Sequence, residues 1–124
     1  MQKFSVLLID DEEELVSTLK ERLHYRGIEA EFLTNGYEAL NRLQERHFDV
    51  LVLDLKMPGM SGLEVVAAVR KVHTNLPIIL LTGHGSAGQD KLDIPDGVFD
   101  YLIKPIDLSD LIQKMRAAVE ASHA

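Results

Sequence analysis

Short apolar runs alternate with amphipathic helical patterns along the whole chain, and this alternation limits the possible folds more than any other feature. Phe4 to Ile9, Phe48 to Leu53 and Ile78 to Leu81 are almost continuously apolar, as expected of strands buried on both faces. Ile28, Ala30 and Phe32 alternate with Glu29 and Glu31, the pattern of a half-exposed strand. Tyr101 to Ile103 forms a short fifth strand. Between the strands, Leu15, Leu19 and Leu23 line one face of a helix that Gly27 can stop. Asn35 with Glu38, and Ser61 with Glu64, have capping-box spacing. They open a second helix with Tyr37, Leu40 and Leu43 on its apolar face, and a third with Leu63, Val66 and Val69. Asp107 caps a last helix through Leu108, Leu111, Ile112 and Met115.

Such alternation predicts an α/β fold: a doubly wound, five-stranded parallel sheet with helices on both faces, a flavodoxin-like three-layer sandwich. The three apolar strands belong in the centre and the other two at the edges, giving the order 2-1-3-4-5. Ligands of such sheets bind beyond the carboxyl ends of the strands, where the strand order reverses. The 124 residues suit one domain spanning 1–124. There is no cysteine, which excludes disulfides, thiolate zinc sites and a cysteine nucleophile. No apolar run approaches the roughly 20 residues of a membrane helix, and no signal-peptide pattern opens the chain. No membrane contact and a cytoplasmic location are the expectations.

The net charge of −7 is concentrated in two places. Residues 10 to 14 are all acidic, and residues 90 to 110 carry six acids against Lys91 and Lys104. This balance argues against direct nucleic-acid binding by this domain, which would need a basic footprint.

The strand ends carry the chemistry. Asp10 and Asp11 follow the first strand, Asp54 ends the third, Thr82 ends the fourth, and Lys104-Pro105 follows the fifth. A parallel sheet brings these ends to one edge. Three carboxylates placed together repel one another unless a cation, a raised pKa or the lysine offsets them. Oxygen-only ligands favour a hard cation, Mg2+ in particular. A divalent cation beside a carboxylate, a lysine and a hydroxyl can handle a phosphoryl group, and one carboxylate can itself be the nucleophile.

Four stretches, Ile9-Asp10-Asp11-Glu12, the Leu53 to Gly62 run with Asp54 and Lys56-Met57-Pro58-Gly59, Leu81-Thr82-Gly83, and Tyr101-Leu102-Ile103-Lys104-Pro105, together resemble the receiver domain of two-component response regulators. The resemblance covers essentially the whole chain. It implies that Asp54 accepts a phosphoryl group from a phosphohistidine on a sensor histidine kinase or phosphotransfer protein. It implies Mg2+ ligation directly by Asp11 and Asp54, through water by Asp10, and by the backbone carbonyl of Lys56. Thr82 and Lys104 would contact the phosphoryl group, the latter across a cis Lys104–Pro105 bond. Thr82 and Tyr101 would form the switch, and Lys56 and His84 would tune the lifetime of the phosphorylated state. The domain would promote its own phosphorylation and dephosphorylation without being an enzyme on external substrates. The output face would comprise a fourth helix, the fifth strand and the last helix, and would serve a downstream effector or a dimer. The alternative for Tyr101 is a plain edge-strand aromatic, and the remaining histidines are read as surface residues.

One segment departs from the pattern. A fourth helix belongs at about 86 to 95, but Gly88 and Pro95 both disfavour it, and Leu92 and Ile94 make no helical stripe. A short or irregular helix is expected there, easily remodelled on phosphorylation. Among rival functions, a dehalogenase-type phosphohydrolase would need a second acid where Lys56 stands. A flavin protein would need a phosphate-binding loop where the acids after the first strand stand. The alternative kept open is a receiver-like interaction module not regulated by phosphorylation. The chain would be either a complete single-domain regulator or a piece of a larger one.

Overall fold

The computed structural model describes residues 3–83 and 95–123. Five strands, β1 (Ser5–Ile9), β2 (Glu29–Leu33), β3 (Val50–Asp54), β4 (Ile78–Thr82) and β5 (Asp100–Ile103), form one parallel sheet in the order β2-β1-β3-β4-β5. The described helices are α1 (Glu13–Tyr25), α2 (Ala39–Glu45), α3 (Gly62–Val72) and α4 (Leu108–Ser122). The last of these is the helix expected after Asp107. The expected short or irregular helix at 86 to 95 lies outside the described residues except for Pro95, and His84 lies outside them too.

Every residue of β1, β3 and β4 is buried, whereas β2 and β5 are only partly covered. Alternate side chains of the central strands feed two cores, one on each face of the sheet. On one face Val6, Leu8, Val52 and Leu81 pack with Leu19 and Leu23 of α1 and Leu111 and Met115 of α4. On the other, Leu7, Leu51, Leu53 and Leu80 pack with Leu43 of α2 and Val66 and Val69 of α3. Each fully buried Leu or Ile contributes about 1.5–3 kcal/mol, so the strands that carry the acids are firmly anchored in both cores.

The caps set the phase of the helices. Ser61 and Glu64 form the full capping box of α3: Ser61 Oγ accepts from the Glu64 amide, and Glu64 Oε1 accepts from the Ser61 amide. The first helical residue, Gly62, is pressed against the end of β3, and the buried face continues through Val65, Val66 and Val69. Leu63 is therefore turned about 100° off that face, and it is 47 % exposed rather than in the apolar stripe expected from the sequence. Asp107 caps α4 by accepting from the Asp110 amide at 3.1 Å.

The Asn35–Glu38 pair behaves differently from a helix cap. Asn35 Oδ1 accepts from the Tyr37 amide at 3.0 Å and closes a turn. Helix α2 then starts only at Ala39, after Glu38. Tyr37 consequently precedes the helix, lies against Gly59 and is 66 % exposed; it is not part of the buried face.

Candidate phosphoacceptor site

The carboxyl edge of the sheet gathers the strand-end residues. The β1–β2 ladder runs on past Ile9, with the Asp10 amide donating to the Leu33 carbonyl at 3.2 Å. This fixes Asp10 inside the protein, with no exposed surface, while Asp11 turns outward. Asp54 ends β3, 5 % exposed, and pairs in register with Leu81. The two strands thus present Asp10, Asp11 and Asp54 together, with one carboxylate oxygen of each lying within 4.8 Å of the others.

Gly62 holds the third wall in place. Its amide donates to the Leu55 carbonyl at 2.9 Å. A Cβ on this residue would stand 2.3 Å from the Asp54 carbonyl oxygen and 2.8 Å from Leu55 Cα. Only glycine lets the start of α3 approach the end of β3 this closely, and the loop bearing Lys56 is drawn in with it.

Lys104 follows β5, and its amide donates to the Thr82 carbonyl at 2.8 Å. Its bond to Pro105 is cis, as the resemblance implied. The side chain enters the acidic pocket, where Nζ lies 2.8 Å from Asp10 Oδ2, 2.6 Å from Glu12 Oε1 and 3.6 Å from Asp54 Oδ1. Thr82 is buried at the end of β4, and its hydroxyl donates to the Gly83 carbonyl at 3.2 Å. Thr82 pairs with Ile103, and Leu80 with Tyr101. By strand alternation Thr82 and Tyr101 therefore share one face of the sheet, the face of α2 and α3. Tyr101 is half-buried there, packed against the core that contains Leu80.

The electrostatics follow from this crowding. Burial, with the Asp10 and then the Asp11 carboxylates, pushes the Asp54 carboxyl up to about 6, against the pull of Lys104 and of the hydrogen bond from the Lys56 amide. Burial alone would lower the Lys104 ammonium, but Asp10, Glu12 and Asp54 more than reverse this and raise it above the usual lysine range. At neutral pH the pocket thus holds a committed ammonium and an excess of carboxylate. All its ligand atoms are oxygens, a donor set that suits a hard divalent cation.

Sequence reasoning placed Asp10, Asp11, Asp54, Thr82 and Lys104 at one edge, and the structure brings them together there. It assigned no role to Glu12, whose carboxylate lies against Lys104. The available signal was its adjacency to Asp11, which places it at the mouth of the same pocket.

These features define a class: an open parallel α/β domain whose topological switch point carries an acidic, cation-suited pocket with an embedded lysine. The profile of the response regulator receiver domain matches residues 6–116, and the chain belongs to that family. It is 37 % identical over 118 residues to the transcriptional regulatory protein CpxR of Escherichia coli (strain K12), covering 95 % of this chain and 50 % of CpxR. It is 34 % identical over 119 residues to the uncharacterized transcriptional regulatory protein YkoG of Bacillus subtilis (strain 168), covering 96 % of this chain and 52 % of YkoG. The chain spans about half the length of the curated relatives it matches. A response regulator receiver domain protein from Clostridium thermocellum superposes with a TM-score of 0.87 at 30 % identity, covering 97 % of both chains. The response regulator protein TrrA from Thermotoga maritima, solved in complex with Mg(2+)-BeF, superposes with a TM-score of 0.79 at 33 % identity, covering 93 % of this chain and 98 % of TrrA. Among the described residues, no helix is long and apolar enough to cross a membrane.

Proposed function

We propose that residues 1–124 act as one phosphoacceptor domain in which Asp54 takes a phosphoryl group from a phosphohistidine of a sensor histidine kinase or phosphotransfer protein. The observation that carries this reading is the position of Lys104 Nζ, inside the pocket, between the buried Asp10 and Asp54. An ammonium held there can neutralise phosphoryl oxygens arriving at Asp54.

Asp11 and Asp54 would hold Mg2+ directly, Asp10 through water, and the Lys56 carbonyl would add a ligand. The Mg2+ in the TrrA complex supports this choice of cation. When bound, the cation offsets the carboxylate repulsion and the charge on the phosphoryl oxygens. The Asp54 carboxylate oxygen attacks phosphorus, and the bond to the donor breaks as the bond to Asp54 forms. Lys104 steadies the charge without giving up its proton. The Thr82 hydroxyl turns to the new phosphoryl oxygens, and Tyr101, on the same face of the sheet, follows. The same pocket would promote hydrolysis of the aspartyl phosphate, with Lys56 and His84 setting its lifetime.

The readout would leave through the face containing β5 and α4, towards an effector or a second copy of the chain. The transcriptional regulators among the relatives support gene control as the output of a longer protein. A cytoplasmic setting is part of the same proposal.

The test is incubation with acetyl phosphate and Mg2+ followed by intact-mass measurement. The expected result is a gain of one phosphoryl mass that EDTA prevents and Asp54→Asn abolishes. Absence of the adduct on the wild-type chain would overturn the reading.

A further inference from the structure

Helix α1 begins at an acid that does not cap it. Glu12 occupies the N-cap position, but its side chain makes no capping hydrogen bond. Its amide donates to Asp10 Oδ1 at 2.9 Å, and its carboxylate turns away from the helix to Lys104 Nζ at 2.6 Å. Of the three carboxylates around that ammonium, Glu12 is the nearest and Asp54, at 3.6 Å, the farthest. The two near acids differ in kind. Asp10 is completely buried and fixed by the fold, whereas the Glu12 side chain is 61 % exposed and can move away into water.

We propose that Glu12 is a positioning residue that holds Lys104 back from Asp54, so that an arriving phosphoryl group must displace the Glu12 carboxylate to gain the ammonium. The proposal rests on the phosphoacceptor reading of Asp54 and extends it to a residue outside the acidic triad. With an acyl phosphate donor, an Asp54 oxygen bonds to phosphorus while the bond from phosphorus to the acyl oxygen breaks. The carboxylate of the donor leaves with the electron pair, and Lys104 keeps its proton. The Glu12–Lys104 contact opposes this step because the ammonium reaches the phosphoryl oxygens only as that ion pair opens. An exposed ion pair is weak, so Glu12 would slow phosphorylation without preventing it.

The test compares wild type with Glu12→Gln and with Glu13→Gln, which removes the same charge one residue further along α1. Initial rates of phosphorylation by acetyl phosphate at saturating Mg2+ are read by intact mass. The 15N resonance of the Lys104 ammonium is followed in parallel, without donor or cation. Glu12→Gln is expected to react up to about fivefold faster, the factor equivalent to ~1 kcal/mol of exposed ion pair, and to shift the Lys104 resonance. Glu13→Gln is expected to change neither. Equal acceleration by both variants would assign the effect to bulk charge and overturn the proposal. Adducts forming at the wild-type rate in Glu12→Gln would overturn the role of Glu12 alone. No adduct on wild type or variant would overturn the phosphoacceptor reading, whereas a Lys104 resonance unchanged in Glu12→Gln would overturn the positioning of Lys104 by Glu12 whatever the adducts show.

Discussion

The guanidinium of Arg70 in α3 donates to the backbone carbonyl of Gly97, at 2.9 Å from Nε and 2.5 Å from one terminal nitrogen. The same group donates to the carbonyls of His73 at 2.7 Å and Leu76 at 2.5 Å. One side chain therefore closes the end of α3, the turn into β4 and the segment leading into β5. An ammonium cannot span these acceptors as a planar fork does. Arg70→Ala is expected to lower stability by about 1–3 kcal/mol, and Arg70→Lys to recover less than half of that. Urea denaturation of the three proteins checks both statements.

Asp54 opposes folding when it is ionised and no cation is bound. Its folded-state value of about 6 lies above the ordinary 3.8. Between those values the folded chain binds more protons than the unfolded one, so stability falls as pH rises through that window. In EDTA at pH 7.5, Asp54→Asn is expected to be more stable than wild type by on the order of 1–3 kcal/mol, with the difference disappearing near pH 4. Added Mg2+ is expected to raise the unfolding temperature of wild type more than that of Asp54→Asn. Thermal melts across pH, with and without Mg2+, test this, and a wild type insensitive to Mg2+ would contradict it.

The opposite sign holds at the outer edge of the sheet. Burial pushes the Glu31 carboxyl up, but Arg46 and Arg42 outweigh it and leave the group below its ordinary value of 4.5. Arg42 Nη1 lies 2.5 Å from Glu31, and Arg46 bonds both Glu31 and Glu29. A depressed carboxylate stabilises the fold above its unfolded pKa, and that contribution is lost as pH falls through the folded value. The Arg42→Ala, Arg46→Ala double variant is expected to lose about 0.5–1.5 kcal/mol at neutral pH and progressively less below pH 4.5. Denaturation midpoints measured between pH 7 and pH 3 read this difference.

Gly62→Ala forces a methyl group against the Asp54 carbonyl and Leu55 Cα, backbone atoms that cannot rotate aside. The expected cost is about 1–3 kcal/mol, together with weaker Mg2+ binding because the loop carrying Lys56 is displaced. Calorimetric titration with Mg2+ separates the two effects. Full stability with wild-type affinity would show that the close approach does not shape the site.

The sheet was legible because burial on both faces leaves an unambiguous mark. Phe4 to Ile9, Phe48 to Leu53 and Ile78 to Leu81 can hardly be anything but central strands. The positions of Asp10, Asp54, Thr82 and Lys104 then followed from the strand ends without knowledge of any side-chain conformation. Contacts chosen by three-dimensional register were not legible. Leu63 and Val65 have equal claims to the apolar face until Gly62 fixes the phase of α3. Tyr37 fits a helical stripe, yet the turn at Asn35 delays α2 beyond it. Arg70 and Gly97 are 27 residues apart, and Lys104 and Glu12 are 92 apart. No local pattern announces such partners, because long polar side chains reach whatever acceptors the packing brings near.

The complete burial of Asp10 has a consequence for how the domain answers a signal. Asp10 and Asp54 are charged groups of one sign, anchored on neighbouring strands that cannot separate without opening both cores. The carboxyl edge thus gathers like charge that Lys104 offsets only in part. Positive charge added there would relieve a repulsion that the strands cannot escape by moving apart.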